Sequence, residues 1–176
     1  VNLFSGSIGG NVYGGANSSV VNGSAKVNIG ANVINDNRFT DADYGDEIVI
    51  KGTVFGGSES NADGDENYDF NAISVTQGIY INIDPTSYSN FELEGSVFGS
   101  GNASSSQGDS IIRINNMGTK DKILTMTSIQ RAKQVYLTNS NIQLVGTTDS
   151  TSSHSKIKYT FNIIDHLYLL ESTGIC

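Results

Sequence analysis

The chain has 176 residues, a length that corresponds to one domain. Its 18 acidic and 10 basic residues give a formal net charge of −8, which opposes binding to a phosphate backbone. The 19 Ile and 12 Val residues favour strands, whereas Ala, Leu, Glu and Lys are too scarce for a helical bundle. We therefore predict an all-β fold with no nucleic-acid partner and, because no long apolar run is present, no membrane insertion.

A short sequence repeat occupies the N-terminal part of the chain. Blocks 10–15, 52–57 and 95–100 read Gly-Asn-Val-Tyr-Gly-Gly, Gly-Thr-Val-Phe-Gly-Gly and Gly-Ser-Val-Phe-Gly-Ser, and they start 42 and then 43 residues apart. The first and third blocks continue to align without a gap, residues 10–29 with residues 95–114. A fixed period that keeps the apolar positions in phase predicts an architecture in which each unit stacks on the next.

Each block is predicted to form a strand, a turn and a second strand. A Val-aromatic pair makes the first strand, and the following Gly-Gly pair permits positive φ and a sharp corner without a Cβ clash. Alternation then returns at residues 27–29, 81–83 and 112–114, which places the aliphatic side chains on one face. The equivalent repeat positions are Val12, Tyr13 and Gly14; Val54, Phe55 and Gly56; Val97, Phe98 and Gly99. This pattern predicts a parallel β-solenoid in which the three valines stack inwards; the alternative is a β-sandwich of antiparallel hairpins.

The aromatic residue of each block has two interpretations. In the first, Tyr13, Phe55 and Phe98 form a stacked ladder, in which each neighbouring pair contributes about 0.5–1.5 kcal/mol beyond burial. In the second, the rings point outwards because each follows an inward-facing Val, and they form an exposed stripe for sugar stacking.

Two acidic segments, 35–47 and 61–69, interrupt the pattern and are predicted to be loops that leave the solenoid wall. In the second segment, oxygen donors recur at every second position, as at the start of a calcium loop; these weak calcium candidates are Asp63, Asp65, Asn67 and Asp69. The sixth position is Tyr68 instead of Gly, so a solvated loop is the favoured interpretation and no essential metal or other cofactor is expected. The same interpretation applies to Asp41, Asp43, Asp46 and Glu47.

Residues 116–176 follow a different register. Segments 135–137 and 167–169 both read apolar-Tyr-Leu and lie 32 residues apart, which indicates further coils without the Gly-Gly corner. The final strand is expected to lack a covering strand, which predicts end-to-end association of copies, and Cys176 adds a thiol there. We interpret 1–176 as one solenoid segment cut from a longer array, with the Gly-Gly corners confined to 1–115.

The Gly-x-Val-[Tyr/Phe]-Gly-Gly blocks resemble repeats in large secreted or wall-attached surface proteins of Gram-positive, clostridia-type bacteria. Segment 128–142 and the stretch 146–150, Gly-Thr-Thr-Asp-Ser, resemble further coils of the same proteins. The resemblance implies a right-handed parallel β-helix of the adhesin type, located outside the cell. Such a protein is a non-enzymatic stalk or ligand-binding module, whose partner is a host or cell-surface protein or a glycan. The resemblance carries no catalytic motif.

Two other functions stay open. One is a carbohydrate-active β-helix enzyme, a polysaccharide lyase or hydrolase, or its non-catalytic part. Hydrolysis needs two fixed carboxylates, and lyase chemistry needs a base beside cations. In this sequence the acidic residues lie in predicted loops, and Arg113 and Arg131 have no Asp pair on their strands. His154 and His166 have no His or Cys partner at metal-ligand spacing, so both are predicted to be structural or solvated. No catalytic residue is predicted. The other alternative is a structural or phage-fibre solenoid.

Overall fold

The computed structural model describes residues 1–17, 19–30, 45–59, 74–86, 88–101, 105–118, 123–148, 157–158, 161–171 and 173–175. These residues form strands and turns, and no helix occurs among them. The strands in chain order are β1 (Asn2–Leu3), β2 (Gly6–Ile8), β3 (Val12–Tyr13), β4 (Ala25–Ile29), β5 (Glu47–Ile50), β6 (Val54–Phe55), β7 (Ser74–Val75), β8 (Ile79–Ile83), β9 (Asn90–Leu93), β10 (Val97–Phe98), β11 (Ser105–Ser106), β12 (Ser110–Asn115), β13 (Leu124–Met126), β14 (Ile129–Thr138), β15 (Asn141–Leu144), β16 (Thr147–Thr148), β17 (Ile157–Lys158), β18 (Phe161–Leu170) and β19 (Gly174–Ile175). The all-β class predicted from composition is confirmed. Within the described ranges, nothing helical is long or apolar enough to cross a membrane.

The largest sheet contains nine strands, and all of its pairings are parallel. Its order is β1-β4-β8-β12-β14-β10-β6-β3, and β18 also pairs with β14. The start of β14 pairs with β10 and its C-terminal half pairs with β12. This one strand therefore joins two ribbons: a narrower ribbon of β3, β6 and β10, and a wider ribbon of β1, β4, β8, β12 and β18. The sheet is open and curls into a half-barrel. Among the described strands only β16 and β17 pair in the antiparallel direction, which contradicts a sandwich of antiparallel hairpins.

The repeat blocks lie in register across the narrower ribbon. Val12 pairs with Val54, and Val54 pairs with Val97. Ile129 takes the next position beside Val97, although its segment lacks the block sequence. All four side chains are buried in the same hydrophobic core. The 42- and 43-residue sequence spacing thus corresponds to one step from strand to neighbouring strand.

The wider ribbon carries the second row of the core. Val27, Ile81, Ile112 and Val135 lie side by side on consecutive strands, and each is completely buried. Burial of an aliphatic side chain of this size stabilises the fold by about 1.5–3 kcal/mol. The row ends on β18 at Leu167, which is 40% exposed because no further strand covers it among the described residues.

Smaller parallel sheets complete the same pattern. Strands β2, β5 and β9 pair in that order, as do β13, β15 and β19, and β9 contacts β13. Consecutive stretches of chain therefore return to the same three columns of strands: first β2, β3 and β4, then β5, β6 and β8, then β9, β10 and β12. Each column is a set of strands contributed by distant parts of the sequence.

The block glycines are needed for close backbone approach, and the positive φ that glycine permits is not adopted by them. Gly14, Gly56 and Gly99 are absent from the left-handed region of the backbone. A Cβ atom on Gly14 would lie 2.3 Å from the carbonyl oxygen of Gly56, and one on Gly99 would lie 2.6 Å from the carbonyl oxygen of Arg131. The neighbouring repeat therefore occupies the space that any side chain at the corner would need.

In β14, the position that corresponds to the Gly-Gly corner of the repeat blocks is occupied by larger residues. Arg131 takes the left-handed conformation with φ of 52°, and Ala132 follows it. The Ala132 methyl group faces Gly99, where a Cβ atom would lie only 2.7 Å away. A small residue on one strand and a glycine on its neighbour therefore allow the two backbones to pack.

Candidate ligand-binding face

One surface of the wider ribbon points away from the core. Side chains alternate along a strand, so the residues between the buried aliphatic residues project outwards. We name this surface the polar face, and its residues are Lys26, Asn28, Tyr80, Asn82, Ile111, Arg113, Asn115, Gln134, Tyr136, Thr138, His166, Tyr168 and Leu170. Parallel register arranges them in rows that run across the strands, with about 4.8 Å from one strand to the next.

Amide side chains form a ladder along the central row. Asn28 donates from Nδ2 to Oδ1 of Asn2 at 2.8 Å, and Asn82 donates from Nδ2 to Oδ1 of Asn28 at 2.8 Å. The direct stacking of Asn28 between two amides explains why this polar side chain is only 8% exposed. Each amide therefore fixes the orientation of the next, and the row is preorganised.

The same row continues as a stack of planar groups. Arg113 pairs with Asn82 on one side and Tyr136 on the other. The Arg113 guanidinium carbon lies 5.2 Å from the Tyr136 ring centroid, and the Tyr136 and Tyr168 rings stack at 4.6 Å with planes 9° apart. Tyr136 also donates its hydroxyl to Oε1 of Gln134 at 3.1 Å. A guanidinium that lies against a ring keeps its N–H edge available for hydrogen bonds.

Charge is segregated on this surface. The protein as a whole carries −8, yet the alternating outward positions of the five strands hold Lys26 and Arg113 and no carboxylate; Asp165 on β18, one position before His166, is an exposed carboxylate beside them. Within the described part of the chain, neither cation forms an ion pair. His166 lies on the same surface, exposed, with its ring 6.3 Å from the Tyr168 ring.

Carboxylates lie at the borders of the polar face and have their own partners. Lys133 donates to Oδ1 of Asp109 at 2.6 Å, and this hydrogen bond raises the pKa of Lys133. At the other end of the strands, the buried Asp84 accepts hydrogen bonds from Thr86 and from Nδ2 of Asn116, the latter at 3.2 Å. Asp165 on β18 is exposed and also raises the pKa of Lys133, whereas Lys26 and Arg113 form no ion pair among the described residues.

The block aromatics form a separate stack on the narrower ribbon. Tyr13 stacks on Phe55 at 5.0 Å, Phe55 contacts Phe98 at 5.1 Å, and Arg131 lies over Phe98 at 5.5 Å. Phe55 is only 8% exposed, because its faces are covered by its neighbours. A sugar ring stacks on an open aromatic face, so this geometry favours the ladder over the exposed stripe.

Most residues weighed as metal or thiol sites lie outside the described residues. These are Asp41, Asp43, Asp63, Asp65, Asn67, Asp69, His154 and Cys176. In the described part of the first acidic segment, the backbone carbonyl of Asp46 accepts from Ser89, and Glu47 accepts from Asn90 at 3.5 Å. Among the residues with described positions, no three His, Cys, Asp or Glu side chains are grouped closely enough to hold a metal ion.

No protein-family model, curated protein or solved structure matches this chain. The candidate site is therefore defined by geometry alone. From the sequence, Arg113 is a candidate only in connection with catalysis, and the asparagine ladder is not predicted. The sequence feature that could have revealed this row is the polar residue in the middle of each of three alternating segments: Val-Asn-Ile at 27–29, Ile-Asn-Ile at 81–83 and Ile-Arg-Ile at 112–114.

Proposed function

We propose that the chain is a non-enzymatic, adhesin-like module of an extracellular bacterial surface protein, and that a right-handed parallel β-helix presents the polar face to a ligand. The observation that supports it most directly is the in-register return of distant segments to the same columns of strands. Such stacking gives a rigid outer wall whose rows of side chains repeat at the strand spacing. Parallel crossovers are nearly always right-handed, which supports the proposed hand.

A binding role is supported by preorganisation of the polar face. The Asn28 and Asn82 amides are held by the ladder, and Arg113 is held against Tyr136. Groups that are already ordered lose little conformational entropy when they contact a ligand. An extended, hydroxyl-rich molecule fits an open surface of amide, hydroxyl and guanidinium groups better than a compact apolar ligand does. A glycan is therefore the favoured ligand.

A non-catalytic role is supported by the ion pairs of three surface carboxylates. Asp109 is paired with Lys133, and Glu92 and Glu94 are both paired with Lys51. Glycoside hydrolysis by the usual mechanism needs two carboxyl groups that face each other across the scissile bond. These three carboxylates instead face lysines at the protein surface. The extracellular location is supported by the resemblance of the Gly-rich blocks to bacterial surface repeats.

The experiment is a panel of immobilised glycans probed with the purified chain, followed by analysis of each bound glycan for cleavage products. We expect saturable binding to at least one glycan, with the glycan recovered intact. Release of shorter or unsaturated products would overturn the non-enzymatic proposal. Absence of binding across the panel would overturn the ligand-binding role and favour a purely structural wall. Substitution of Asn82 by Ala should weaken binding, whereas substitution of Thr125, which lies on a different sheet, is the matched control.

A further inference from the structure

We propose that the polar face is specific for acidic polysaccharides, and that Arg113 is the residue that recognises their carboxylate groups. This inference rests on the proposed glycan-binding function and names its ligand class. The first supporting observation is electrostatic: the outward positions of the polar face hold two cations that form no ion pair among the described residues, in a protein of net charge −8.

The second observation is the geometry of Arg113. Arg113 is half-buried, its guanidinium carbon lies 5.2 Å from the centroid of the Tyr136 ring, and Tyr136 is held in turn by its stack with Tyr168. The ring restricts the positions that are open to the guanidinium. A planar pair of N–H donors matches the two oxygens of a carboxylate, which gives both affinity and orientation.

The third observation is the spacing of the two cations. Lys26 lies on β4 and Arg113 lies on β12, with β8 between them. Two strand spacings of about 4.8 Å place the backbones about 10 Å apart across the sheet. Two anionic groups on one extended chain can therefore be recognised together, while the amide of Asn82 on β8 lies between the two strands and can bind a sugar hydroxyl group.

An acidic polysaccharide fits these features better than other polyanions. A nucleic acid carries a dense row of phosphates, and two cations on a chain of net charge −8 are too few to neutralise it. An acidic peptide that binds as an added strand needs a free strand edge, and β12, which carries Arg113, is paired on both sides. Sugar hydroxyl groups, in contrast, match the amide and phenol groups that surround the guanidinium.

The test compares an oligogalacturonate of one defined length with its methyl ester, which has the same backbone without the charges. Binding is measured by titration calorimetry at low salt and again at physiological salt. We expect the acid to bind about tenfold or more tightly than the ester, and Arg113→Gln to remove that preference. Arg113→Lys should retain only part of it, because the charge remains while the paired N–H donors are lost. Arg131→Gln, which changes the same charge on the other ribbon, is the control.

Each result has a defined meaning. Equal binding of acid and ester, or equal effects of Arg113→Gln and Arg131→Gln, would overturn the acidic specificity while glycan binding stands. Equal competition by an oligothymidylate of matched charge would also overturn it, since the face would then bind any polyanion. Failure of both oligosaccharides and of all neutral glycans to bind would instead overturn the proposed function itself. Thermal melting of every variant verifies that the fold is retained.

Discussion

The glycines that open the repeat blocks give a sharp test of how the strands stack. Gly10, Gly52 and Gly95 occupy the same position in the three blocks, but only the last two lie against a preceding repeat. A Cβ atom on Gly95 would lie 2.1 Å from the carbonyl oxygen of Gly52, whereas a Cβ atom on Gly10 would meet no atom within 4 Å. Real Cβ atoms essentially never approach closer than 3.0 Å, so Gly95→Ala requires the two backbones to separate by about 0.9 Å.

The expected cost follows from two opposing effects. Forcing an extra methyl group into a packed interior costs about 1–3 kcal/mol, whereas replacing Gly by Ala restricts the unfolded chain and recovers about 0.4–1 kcal/mol. The net loss for Gly95→Ala is therefore about 1–2 kcal/mol, which for a domain of this size lowers Tm by about 2–8 °C. Gly10→Ala receives only the second effect, so its stability should be unchanged or slightly higher.

The assay is thermal unfolding followed by far-ultraviolet circular dichroism, with Gly52→Ala as a second blocked position. Hydrogen exchange adds a local measurement, because the Val54 amide donates to the Ser96 carbonyl at 2.9 Å, beside the contact that must open. We expect faster exchange at Val54 in Gly95→Ala and no change in Gly10→Ala. Equal shifts in Tm for Gly10→Ala and Gly95→Ala would refute the parallel stacking of the blocks in this register.

Three other predictions test separate features of the sheet. Ile112→Ala should cost about 2–5 kcal/mol in a denaturant titration, whereas the outward-facing Ile111→Ala should cost less than about 1 kcal/mol; similar losses would contradict the alternation. Asn28→Ala should cost about 1–3 kcal/mol by the same titration because it leaves ladder partners unsatisfied, and a loss near zero would mean that water replaces the ladder. Since Leu167 and Leu169 on the β18 edge are 40% and 52% exposed, light scattering should show association that rises with concentration and that Leu169→Lys reduces; a chain that stays monomeric at high concentration would contradict it.

The sequence alone determined the repeat and its inward row. Val12, Val54 and Val97 recur at nearly constant spacing, and a strand that buries one face must keep such positions in register, since a slip of one residue would expose them. The alternating segments were recognisable for the same reason. Local pattern was sufficient here because burial acts on each strand separately and leaves a period of two in the sequence.

Only the tertiary structure decided what lies between neighbouring strands. The need for glycine at Gly14 arises from the carbonyl oxygen of Gly56, an atom 42 residues away in sequence, and no local rule for turns contains that contact. The polar face is likewise assembled across insertions of unequal length: Asn28 and Asn82 are 54 residues apart, whereas Asn82 and Arg113 are separated by a shorter segment. Their outward position was recognisable from alternation, but which side chains become neighbours depends on strand pairing, and pairing is fixed by the packing of the whole core.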